Sequence, residues 1–249
     1  MLGSSNSIAC ANIMLNSAVA KSLKIYADRL EKADDFETAL HEMIRKTIKD
    51  HKRIIFNGNG YDDAWIKEAT EQRGLLNYRT TPDCMPHLMD EKNVKMLTEQ
   101  KVYTEAELKS RCEIMLENYS KTVTIEAVTM VDISQKQILP AIEKYISKVA
   151  RAAKAKKAVD EDISCAYEKG LLKKLSALTE QIAMGVDSLN EAIIKVHSAE
   201  DVEAESRLIR DEVLPKMTEL RIPCDEAETL TAEEYWPFPT YGDLLFGVK

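Results

Sequence analysis

The stretch with the most chemical promise is 53–65, "RIIFNGNGYDDAW", where glycines alternate with asparagines after an apolar run. Such a loop could cradle phosphate with its backbone N–H groups. A Walker loop, however, requires GxxxxGK[ST], because its lysine and hydroxyl serve the phosphates and magnesium. Here Gly60 is followed by Tyr61 and Asp62, and a carboxylate repels phosphate. The dinucleotide pattern GxGxxG also fails, since Asp63 stands where the third glycine belongs. The stretch therefore reads as a turn, with its glycines at positive φ and Asn59 capping the following helix.

Other reactive side chains are scattered. His41, His51, His87 and His197 show no HxxxH or HExxH spacing that would place two imidazoles on one metal. The cysteines Cys10, Cys84, Cys112, Cys165 and Cys224 are odd in number and form no CxxC pair. That argues against a disulfide framework or zinc ribbon and fits a reducing cytoplasm. Cys10 or Cys165 would serve as a nucleophile only if the fold brought a histidine to it. No catalytic constellation emerges from the residues themselves.

The chemistry being absent, the elements carry the information. With 249 residues, the chain can form one large domain or two small ones, and 45% apolar residues supply a core. Only 8 glycines and 7 prolines are present, which favours long helices over a many-turned sheet. A net charge of −8 argues against nucleic-acid binding. The one basic run, Lys148, Arg151, Lys154, Lys156 and Lys157, lacks interleaved aromatics and precedes Asp160, Glu161 and Asp162, so it reads as a solvated helix end. No apolar stretch reaches the length of a membrane span. The first basic residue is Lys21, and no continuous apolar core precedes it, so a signal peptide is not expected.

Helical spacing runs from Ile13 to Leu30 through Val19, Leu23 and Tyr26, and a second helix from Phe36 to about Lys49 is expected, capped by Asp34 with Glu37. At most one short strand is expected, near 53–56. Residues 61–73 should form a helix with Asp62 and Asp63 in its first turn and Arg73 in its last. Gly74 then takes the left-handed closing conformation and Leu75 folds back. Two prolines in 75–103 imply short helices and turns. A capping box at Thr104–Glu107 opens a long helical segment to about Ala155, kinked or split at Pro140.

The cleanest pattern is Ile163, Tyr167, Leu171, Leu175, Leu178, Ile182, Val186, Leu189, Ile193 and Val196, a period of about 3.7 residues. It should end near His197, with Ser198 and Asp201 capping the next helix. That helix carries Val202, Leu208, Ile209, Val213 and Leu220, interrupted by Pro215. Successive long amphipathic segments predict a mainly α fold, an antiparallel helical bundle. Tyr235, Trp236, Phe238, Tyr241 and Phe246 predict an extended tail docked by its aromatics, on its own domain or on a neighbouring subunit.

The combination of "RIIFNGNGY", "TPDCMPHLMDEKN", "ELKSRCEIMLENYSKTVTIEAVTMVDI" with "ILPAIEKYI", and "YWPFPTYGDLLF" resembles the C-terminal part of type III glutamine synthetase. The N-terminal "GSSNSIACANIMLNSAVA" resembles the segment after that family's last catalytic strand. The resemblance implies ATP-dependent ligation of ammonia to glutamate, with Mg2+ or Mn2+, in homo-oligomeric cytoplasmic rings. It implies that residues 1–60 end the catalytic-domain region, their helices packing behind the barrel. Residues 61–249 would be the type-specific helical region with its aromatic tail. The family's metal, ATP and ammonia ligands lie upstream of the stretch matching Met1, so no catalytic, cofactor-binding or metal residue is carried onto any position. The expected role is structural, in a fragment inactive by itself whose partners are the rest of the synthetase chain and other subunits, with no nucleic acid and no membrane. The alternative is a standalone helical scaffold or adaptor that binds a protein partner.

Overall fold

The computed structural model describes residues 7–247. The opening residues 3–6 of the family-like N-terminal stretch, and the last two residues of the chain, lie outside the described residues. Among the described residues the chain is mainly α, with no strand. It divides into two compact units, one running to Met115 and the other starting at Leu116.

In the first unit α1 (Ala9–Leu30) and α2 (Phe36–Asp50) are followed by a 3-10 turn at Lys52–Ile54. That turn replaces the strand allowed for 53–56, because an isolated strand has no ladder in which to satisfy its backbone. The cap of α2 is Asp35 rather than Asp34, and its carboxylate accepts from the Thr38 hydroxyl at 2.5 Å. Helix α3 (Asp63–Lys67) widens into a π turn at Glu68–Gln72. Gly74 closes it at φ 61°, in the left-handed region that favours glycine, and the Leu75 N–H donates back to the Ala69 carbonyl at 2.8 Å. The expected irregular stretch consists of α4 (Thr81–Cys84), a 3-10 turn at Met85–Met89 and α5 (Glu91–Glu99).

Helix α6 (Glu105–Ile133) begins in the first unit and ends in the second. Its start is the expected capping box: the Thr104 N–H donates to Glu107 Oε2 at 2.8 Å, and the Glu107 N–H to Thr104 Oγ1 at 3.2 Å. Pro140 neither splits nor ends the helical path. A π turn at Ser134–Ile138 leads directly into α7 (Leu139–Val159), with the Leu139 N–H bonded to the Ser134 carbonyl. Widening the turn shifts the carbonyl that a proline ring would otherwise crowd. The same device, a π turn at Ile209–Val213, precedes Pro215 between α9 (Val202–Leu208) and α10 (Leu214–Leu230).

The second unit centres on α8 (Ala166–Val196), packed against α7 and α10. Leu175, Ile182 and Leu189 are fully buried at the centre of its stripe, joined by Ala127 of α6, Ile142 of α7 and Leu220 of α10. The stripe is shorter than its sequence pattern. Ile163 precedes the helix, and Tyr167 in its first turn is 73% exposed. Asp201 alone caps α9, accepting from the Ala204 N–H at 2.7 Å, while Ser198 bonds back to the Lys195 carbonyl. The tail forms a 3-10 turn at Glu233–Tyr235, an irregular stretch through Pro237 and Pro239, and then α11 (Tyr241–Phe246), a short helix where an extended tail was expected.

Candidate functional site

The NGNG stretch is a junction held by an aromatic stack. Asn59 does not cap the helix; its Oδ1 accepts from the Tyr61 N–H at 3.1 Å, and Asp62 caps α3 by accepting from the Ala64 N–H at 2.9 Å. Neither Gly58 nor Gly60 has positive φ. The need for glycine at 58 is contact: a Cβ there would lie 2.6 Å from Phe56 Cζ. Phe56 stacks on Trp65, and the Arg73 guanidinium sits 4.9 Å from the Trp65 ring centre. Arg73 also donates to the Ile55 carbonyl at 2.9 Å and to Glu68 Oε1 at 2.6 Å. Each donor of this arginine therefore braces backbone or a carboxylate, and the arrangement is structural rather than phosphate-binding.

The remaining residues singled out by chemistry stay apart. His41 is exposed on α2, His51 ends α2 and His197 ends α8. His87 stacks on Tyr78, with Nδ1 3.1 Å from Asp90 Oδ2. Cys10 is exposed, while Cys165 is buried and its thiol donates to the Ala153 carbonyl at 3.5 Å. Burial pushes the Cys224 thiol up, opposite to what a nucleophile requires. Within the basic run, Lys148 pairs with Glu234 and Lys156 with Glu168, and Lys157 donates to the Glu161 carbonyl. Among the described residues, no three His, Cys, Asp or Glu side chains are grouped to hold a metal ion, and no helix is long and apolar enough to cross a membrane.

What the first unit does present is a helix with apolar residues on two sides. On α1, Ser17 is buried, and its carbonyl accepts from Gln100 Nε2 at 3.0 Å. Lys21 on the same side pairs with Glu99 of α5. Leu15, Val19 and Leu23, spaced four apart, are 66%, 57% and 61% exposed. The covered side of α1 is thus mixed, with Ile13 and Met14 half-buried beside Ser17 and Lys21, while a second apolar row faces outward, unlike an ordinary surface helix with one apolar stripe. Helix α2 likewise covers an apolar residue, Met43, and leaves others, Phe36, Ile44 and Ile48, exposed. The sequence reading expected Val19 and Leu23 on an apolar stripe. The i, i+4 spacing with Ser17 opposite was the available signal of two competing faces. A compact apolar cavity of about 110 Å3, lined by Ile13, Met14, Met85, Leu88, Leu108 and Met115 among others, completes the unit.

Comparison with known proteins gives these faces a context. A model of the glutamine synthetase C-terminal domain matches residues 39–157. A glutamine synthetase of Butyrivibrio fibrisolvens is 35% identical over 216 residues, covering 87% of this chain and 31% of that protein. The type-3 glutamine synthetase of Dictyostelium discoideum is 29% identical, covering 98% of this chain and 34% of its own. A glutamine synthetase of Bacteroides fragilis (strain YCH46) is 28% identical over the same shares, 98% and 34%. The chain spans about a third of the length of these curated relatives. Matched domain and relatives agree: the chain is homologous to the C-terminal region of glutamine synthetases, a type-3 enzyme among them.

Proposed function

We propose that this chain is the supporting helical part of a type III glutamine synthetase, the enzyme that joins ammonia to glutamate using ATP. In this reading residues 1–60 close the catalytic-domain region, and α1 and α2 pack behind the barrel. Residues 61–249 form the type-specific C-terminal region, and the 104–221 helices contribute to contacts within a cytoplasmic ring of subunits. ATP and Mg2+ or Mn2+ are bound by barrel residues outside this chain, so none of the residues described above is assigned a step of the reaction.

The observation that carries the reading is the outward apolar row of α1, Leu15, Val19 and Leu23, left exposed. A fully buried aliphatic side chain contributes roughly 1.5–3 kcal/mol relative to an exposed one. Three such residues in line, beside a second helix exposing Phe36, Ile44 and Ile48, make a face suited to lie against another layer. Supplied with magnesium, ATP, glutamate and ammonia, the chain alone should form no glutamine. Turnover at the level of a full-length relative would refute the reading. Deleting the counterpart of 104–221 from a full-length relative should change its oligomeric state by light scattering, and an unchanged oligomer would count against the ring-contact role.

The same exposed faces also favour a second reading, a standalone adaptor whose helices bind a partner protein. A reading frame that continues upstream of Met1 into barrel-encoding sequence would eliminate it.

A further inference from the structure

We draw no further inference here: the strongest candidate, the cleft of about 520 Å3 that Lys144, Lys148 and Arg151 of α7 line together with Tyr235, carries nothing, because Glu143 in the lining and the Glu234 partner of Lys148 offset its cations and nothing in the structure shows what covers it.

Discussion

The ring of Phe56 lies on the indole of Trp65, centroids 3.7 Å apart and planes 16° from parallel. Gly58 is what leaves room for it, since any Cβ there would overlap the Phe56 ring edge. Gly58→Ala should force the ring off the indole and remove a stacking contact of about 0.5–1.5 kcal/mol. Thermal unfolding followed by Trp65 fluorescence should show a lower midpoint and an altered native spectrum. An unchanged spectrum would mean that the stack does not depend on the glycine.

Lys156 of α7 and Glu168 of α8 form an ion pair across the helix connection, with Glu168 buried. The hydrogen bond from Lys156, followed by one from the Glu168 backbone, holds its carboxyl below the ordinary glutamate value of 4.5, against the opposing effect of desolvation. A carboxylate depressed in the folded state adds stability that is fully present above 4.5 and is lost as pH falls through its folded value. Glu168→Gln should therefore lower the melting midpoint at neutral pH, and the gap to the parent should close under acid. A gap that stays constant down to strongly acidic pH would contradict the pairing.

The α8 pattern ends where burial ends. Leu189→Ala, at a fully buried position, should cost about 2–5 kcal/mol. Tyr167→Ala, six steps earlier in the same sequence pattern but largely exposed, should cost at most about 1 kcal/mol. Denaturant unfolding of both variants measures the difference, and comparable losses would place Tyr167 in the core after all.

The outward face of α1 makes its own prediction. Val19→Glu with Leu23→Lys should leave the unfolding free energy within about 0.5 kcal/mol of the parent, while reducing binding of an apolar dye and the aggregated fraction. A large loss of stability would show that these side chains are covered within the chain.

Much of the molecule is legible in its residues because helix formation is decided locally. The capping box at Thr104 and Glu107, the Gly74 closure, and the Leu171–Val196 stripe each depend on neighbours within a turn or two. Other expectations failed where two local arrangements competed and spacing alone did not choose between them. Asn59 lost the cap to Asp62, Gly58 is required by the Phe56 ring rather than by its own φ, and π turns let the helical path pass Pro140 and Pro215.

The sequence by itself determined the fold class, the positions of the long helices and the family likeness, because periodicity, caps and motifs act over short separations. Tertiary structure alone decided which face of α1 is covered. Only once α5 packs on Ser17 and Lys21 are Leu15, Val19 and Leu23 left outward, since burial depends on what lies opposite a side chain and spacing cannot specify that.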